Sequence, residues 1–140
     1  MNSFAIRSAL VVTAVLVGAW LALGVRAVAL ETNAQKVINR ARTGPIPASE
    51  ANQALNDLAN AGRLSPDQSP VIRQGELLTA VGREGEARAV AKRATDAEPD
   101  NLQAWFLTWV VAHPNSNAKA HAKARVLELN PWFAYALKRR

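Results

Sequence analysis

The chain has no cysteine, and it has only 2 histidines among its 140 residues. Without cysteine there is no disulfide bond, no thiolate metal site and no cysteine nucleophile. The histidines, His113 and His121, are separated by Pro114 and a predicted turn, so they do not have the i, i+4 spacing of a helical metal-binding pair. Thiol redox chemistry is therefore excluded, and we predict no metal site.

Aromatic residues are also few, at 6% of the chain, and β-branched residues are densest within the first 30 positions. Strands are enriched in both classes, and no later segment alternates polar and β-branched residues over several positions. Alanine, the strongest helix former, is abundant throughout. The sequence therefore predicts an all-α fold.

Charge is missing from the 18 residues between Arg7 and Arg26, and this run is almost entirely apolar. A helix needs about 20 apolar residues to cross a bilayer, and arginine side chains at either end can extend to the interfaces. We therefore interpret residues 1–30 as a single transmembrane anchor or an uncleaved signal-like segment, which places the protein in a membrane as a single-pass protein.

A cleaved signal peptide is the alternative, because Ala27, Val28 and Ala29 resemble a cleavage site. The apolar run is longer than the roughly 7 to 15 residues of a signal peptide, which favours a retained anchor. Basic residues on the C-terminal flank favour a cytoplasmic soluble part, whereas a short basic start before an apolar run is also typical of exported proteins. The side of the membrane stays open.

Three small residues, Ala14, Gly18 and Ala22, recur at four-residue intervals in the apolar run. Such a ridge lets a second transmembrane helix approach closely. The other interpretation is that alanine is simply common in this chain. If the ridge does pack against a partner helix, the protein is a small accessory subunit of a membrane complex.

Proline and glycine divide the remaining sequence into helices. Residues 31–47 are predicted to form a stalk helix, which prolongs the anchor, and a turn, because Pro45 and Pro47 end the helix. A second helix begins near Ser49, and Gly62 is expected to end it in a left-handed conformation. Further helices are predicted over 70–81 and from about residue 84 to Pro99, so these two form an antiparallel pair.

Residues 68–101 form a 34-residue unit that resembles a tetratricopeptide repeat. The residues that carry the resemblance are the small Gly75, Ala87 and Ala94, the large apolar Leu78, Gly82 at the turn and Pro99 at the end. A second unit, 102–131, has Trp105 at the aromatic position and ends in "VLELNP". The prolines that end the two units, Pro99 and Pro131, are 32 residues apart, two short of the 34-residue period, and we attribute the shortening to an early helix end at Pro114.

The resemblance implies a short repeat domain over 48–140, closed by a capping helix at 132–140. Trp132, Phe133, Ala136 and Leu137 are expected to pack backward onto the last helix pair. We expect Trp105 to point into the repeat core.

No catalytic or cofactor-binding pattern is present. Gly75, Gly82 and Gly85 are not followed by the Gly-Lys-Ser or Gly-Lys-Thr of a nucleotide-binding loop. The acidic residues between 84 and 100 lie near predicted helix ends, where capping explains them, and no histidine or serine accompanies them. We therefore predict a protein that is not an enzyme and has no cofactor.

The resemblance to tetratricopeptide proteins implies a groove that binds a protein or peptide partner near the bilayer. The groove positions correspond to Ile72, Glu76, Thr79, Gln103, Phe106 and Val110. They lack the Lys and Asn clamp that some members use for C-terminal carboxylates, which favours a more apolar ligand. Hence we predict a membrane-anchored scaffold or adaptor.

The formal net charge of +6 is concentrated near the C-terminus. From residue 116 onward the only acidic residue is Glu128, whereas the basic residues are Lys119, Lys123, Arg125 and residues 138–140. A solvated capping surface explains this cluster, and contact with anionic lipid or with an acidic partner is the alternative. Nucleic acid is not expected as a partner, because no recognition motif or row of aromatic residues accompanies the charge.

Overall fold

The computed structural model describes the backbone of residues 3–137 and the side chains of residues 10–135. Within these residues the chain forms helices and no strand, which confirms the predicted all-α fold. The helices are α1 (Ser3–Thr43), α2 (Ala48–Leu64), α3 (Ser69–Ala80), α4 (Glu84–Ala97), α5 (Leu102–Val111), α6 (Asn117–Leu129) and α7 (Phe133–Leu137).

The N-terminal part of α1 is a long apolar helix that projects from the rest of the protein. Between residues 10 and 26 its side chains are exposed around the whole circumference, for example Leu16 at 64%, Trp20 at 73% and Val25 at 71%. A helix that is apolar on every side is stable in an apolar solvent rather than in water. This helix is long and apolar enough to span a membrane.

The C-terminal part of α1 is packed against the other helices. Ala34 and Ile38 have no exposed surface, and they form one core cluster with Leu58 of α2 and Leu77 of α3. The segment that the sequence predicts as a stalk is therefore helical, and it also forms part of the core. The membrane-spanning candidate and the first helix of the packed domain are one continuous helix.

The packed helices form two layers. Helices α1, α3 and α5 lie side by side, while α2 packs against both α1 and α3, and α4 packs against both α3 and α5. Helix α6 packs against α5, and α7 contacts the end of α6. Helices α2 and α4 thus cover one face of the layer formed by α1, α3 and α5. The opposite face of this layer is not covered by α2 or α4 and carries a groove.

Small residues allow these helices to approach closely. Ala87 and Ala94 of α4 are fully buried, in a cluster with Ile72 and Leu107. At Gly75, a Cβ atom would lie 2.3 Å from Cδ2 of Leu107, so a side chain there would force the Leu107 side chain to shift. Gly82, at the predicted turn, has a φ of 76°, which favours glycine.

The predicted end of the second helix at Gly62 is wrong. Helix α2 continues through Gly62 to Leu64, and Ser65 is extended, with φ −102° and ψ 135°. Pro66 explains this end, because a proline disfavours helical backbone at the residue before it. The predicted early end of α5 is confirmed, since α5 ends at Val111, three residues before Pro114.

Substituting Ala94 with Leu is expected to lower the free energy of unfolding by about 1–3 kcal/mol, because three additional carbon atoms would overpack the buried contact. Ala87→Leu should have a similar effect. Ala89→Leu, on the exposed side of the same helix, is the control. Urea unfolding of the full-length chain in detergent micelles measures the difference, and equal midpoints for Ala94→Leu and Ala89→Leu would show that the crossing lies elsewhere.

Candidate partner-binding groove

A groove of about 680 Å³ lies along the uncovered face of α1, α3 and α5. Helix α1 contributes Gln35 and Arg42, and the end of α6 and the start of α7 contribute Asn130 and Phe133. Because α1, α3 and α5 are neighbours, their side chains form one continuous surface rather than separate pits. The size lies within the range of ordinary ligand-binding clefts.

All of the residues predicted for the partner groove line this one surface: Ile72, Glu76, Thr79, Gln103, Phe106 and Val110. They differ in accessibility. Ile72 is only 4% exposed and belongs to the core, so it forms the floor, whereas Phe106 is 42% exposed and Val110 is 49% exposed. Phe106 and Val110 lie one helical turn apart on α5 and are the accessible apolar side chains that a partner would contact.

An aromatic cluster closes one side of the groove. The ring of Phe106 lies 5.8 Å from that of Trp109 and 5.8 Å from that of Phe133, both in edge-to-face geometry. Trp109 and Phe133 are 6.1 Å apart. The cluster holds the start of α7 against α5, as the sequence predicts for Phe133, and it fixes the orientation of Phe106. The predicted packing of Ala136 and Leu137 lies outside the described side chains.

Charged residues line the rim of the groove, and they pair with one another. Arg42 of α1 donates to Glu76 of α3 at 3.1 Å, and Arg73 donates to Glu31 at 3.2 Å and to the side-chain oxygen of Gln35. These pairs link α1 to α3 across the groove. Gln35 and Arg42 were not among the predicted groove residues, although their seven-residue spacing places both on the same face of a helix.

Trp105 lies away from the groove. Its indole N–H donates to the carbonyl oxygen of Pro99 at 2.6 Å, and its ring meets His121 edge to face, with 5.1 Å between ring centres. The guanidinium of Arg125 lies 5.8 Å from the Trp105 ring centre. Arg125 donates a hydrogen bond to the Glu128 carboxylate, and this bond raises the pKa of Arg125 above its ordinary value. Trp105 is half-buried and belongs to neither core cluster of the described residues, so the prediction that it points into the repeat core is wrong. It instead links the turn before α5 to α6.

The described side chains bring no metal-binding group of three His, Asp or Glu residues together. His121 contacts Trp105, and His113 lies exposed in the connection between α5 and α6. The groove itself combines an apolar floor with rim charges that are already paired, which suits binding of an apolar surface.

The ridge of small residues in the apolar part of α1 is not covered by other described residues. Ala14, Gly18 and Ala22 are exposed on α1, and a Cβ atom added at Gly18 would meet no atom within 4 Å. The three positions share one face of the helix, as predicted, so a second helix has room to approach there.

Comparisons of the chain with protein-family models, with curated proteins and with solved structures found no match. The geometry of the groove and the pattern of the sequence are therefore what supports a function.

Proposed function

We propose that this protein is a membrane-anchored adaptor, without catalytic activity, whose groove binds an apolar peptide segment of another protein close to the bilayer. The observation that carries this proposal is the exposure of Phe106 and Val110 inside a groove whose rim charges are satisfied by each other. Paired charges gain little from a ligand, so the free energy of binding would come mainly from burial of apolar surface.

The arrangement of the helices supports a tetratricopeptide-like interpretation of this surface. In such repeats the first helix of each pair lines the concave face, and here α1, α3 and α5 precede α2, α4 and α6 in that order. The C-terminal part of α1 and α2 would form the first pair, with 68–101 and 102–131 as the second and third. A peptide lying across three first helices would contact several repeats at once.

The anchor would hold the groove at a fixed distance from the bilayer. Gln35, at one end of the groove, follows Arg26 by nine residues in the same helix, which corresponds to about 14 Å of helical rise. A continuous helix transmits that distance without a flexible linker. The favoured ligand is therefore a segment of a membrane protein, or of a protein bound to one, that lies just outside the bilayer.

Site-specific photo-crosslinking in native membranes tests this proposal. A benzophenone amino acid at Val110 of the full-length chain is expected to crosslink one protein through an apolar segment, identified by mass spectrometry. The same probe at Lys92, exposed on α4 and outside the groove, is the matched control and should not label that segment. Equal labelling of the same protein from both positions would contradict a groove-specific partner.

The second candidate is an accessory subunit held through α1, which the uncovered Ala14, Gly18 and Ala22 ridge favours. A full-length variant with Gly18→Leu separates the two functions. The groove proposal expects the Val110 crosslink to persist in this variant, whereas a subunit held mainly by its transmembrane helix would lose its partner.

A further inference from the structure

Two large aromatic side chains lie exposed near the C-terminal end of the described chain, Trp132 in the turn before α7 and Tyr135 in α7. Trp132 is 79% exposed and Tyr135 is 64% exposed, and their rings lie 5.6 Å apart. Phe133, between them in sequence, packs inward on Phe106 and Trp109. Trp132 and Tyr135 therefore contribute nothing to the described core and form an aromatic patch that no other described side chain covers.

The direction of α1 locates this patch relative to the membrane. Arg73, near the start of α3, contacts Glu31 and Gln35, while Glu76, further along α3, contacts Arg42, further along α1. Helices α1 and α3 thus run in the same direction, and the start of α3 lies toward the apolar part of α1.

The following helices bring the chain back to the same end. Arg125, in the second half of α6, donates to the carbonyl oxygen of Pro99 and to Asp100, which precede α5. The groove is lined by Gln35 together with Ser69 at the start of α3, Gln103 at the start of α5 and Asn130 just after α6. Pro131 and Trp132 follow at once, so the patch lies at the end of the domain from which the apolar part of α1 extends.

We propose that Trp132 and Tyr135 insert into the headgroup region of the bilayer that α1 spans, as a second membrane contact of the domain. This inference depends on the anchoring role proposed for α1. Tryptophan and tyrosine favour this region because their rings are apolar while the indole N–H and the phenol stay hydrated. In sequence they are followed by Lys138, Arg139 and Arg140, whose charge matches anionic headgroups.

A second contact would define the orientation of the groove. One helix allows the domain to tilt and rotate about its own axis, whereas contacts at α1 and at α7, on opposite sides of the groove, hold its long side against the bilayer. The groove would then receive segments that lie along the membrane surface rather than segments that approach from solution.

The absence of cysteine allows a direct measurement of depth with single spin labels. The full-length chain with Tyr135→Cys, carrying a nitroxide, is placed in nanodiscs of three parts phosphatidylcholine to one part phosphatidylglycerol. The matched control is His113→Cys, exposed at the opposite end of α5. Relative to the control, the label at 135 is expected to collide more with oxygen, which concentrates in lipid, and less with a water-soluble nickel complex.

Further variants and a detergent comparison make the outcomes distinct. Adding Trp132→Ala to the Tyr135→Cys chain should bring the label toward the aqueous values of the control. Identical collision rates for the labels at 135 and 113 in nanodiscs overturn the proposal. A label at 135 that is shielded from both oxygen and the nickel complex, in micelles as well as in nanodiscs, also overturns it, because that result indicates burial against a second copy of the chain. A chain that does not enter nanodiscs overturns the anchoring itself, while a persistent Val110 crosslink would leave the groove proposal intact.

Discussion

Changing Phe106 and Val110 together to Ser is expected to abolish binding of the partner that crosslinks at Val110. Both side chains are nearly half exposed in the groove, at 42% and 49%, so both are available to be buried by a ligand. Losing that burial would cost roughly 3 kcal/mol of binding free energy, which is about a hundredfold in affinity. Titration of the full-length chain with the identified partner segment measures the loss.

The same double variant also changes the protein without ligand. Phe106 makes edge-to-face contacts with Trp109 and Phe133, and losing them is expected to lower the free energy of unfolding by about 1 kcal/mol. Trp109→Leu is the matched control, because it removes two contacts of the same cluster from a residue that does not line the groove. Binding that survives in the double variant, or that is lost equally in Trp109→Leu, would contradict the assigned hot spot.

Ile38→Ala is expected to lower the free energy of unfolding by about 2–5 kcal/mol, although Ile38 lies in the segment that the sequence predicts as a stalk. Its side chain has no exposed surface and packs with Leu58 and Leu77, so truncation leaves a cavity between α1, α2 and α3. Loosening α1 would also detach Gln35 and Arg42 from the groove.

Urea unfolding of the full-length chain in micelles, followed by circular dichroism, measures this effect. Lys36→Ala changes an exposed side chain of the same helix and should leave the free energy of unfolding within about 0.5 kcal/mol of that of the original protein. If Ile38→Ala behaved like Lys36→Ala, the C-terminal part of α1 would be a free stalk and the packed domain would begin at α2.

The order and type of the helices followed from local signals. Pro45, Gly82, Pro99 and Pro114 lie in or beside the connections, because proline and glycine act on the backbone of their immediate neighbours. The exception, Gly62, shows the limit of that reasoning. A glycine permits a left-handed helix end without requiring one, and Pro66 ends α2 three residues later than predicted.

The predicted groove positions on α3 and α5 came from the resemblance to tetratricopeptide repeats. They share one surface in the structure because a helix places every third or fourth residue on one face. The sequence by itself thus determined an all-α chain, one apolar helix long enough to span a membrane, and a set of residues that lie together along one surface.

Only the tertiary structure decided what else joins that surface. Gln35 and Arg42 enter the groove because α1 packs beside α3, and Phe133 enters because α7 folds back onto α5. Likewise, Trp132 was expected to pack backward but is exposed in the turn before α7, whereas its neighbour Phe133 packs on Phe106 and Trp109. Contacts between residues far apart in sequence depend on crossing angles and on the rotation of each helix, and a shift of one residue, about 100°, exchanges a buried side chain for an exposed one.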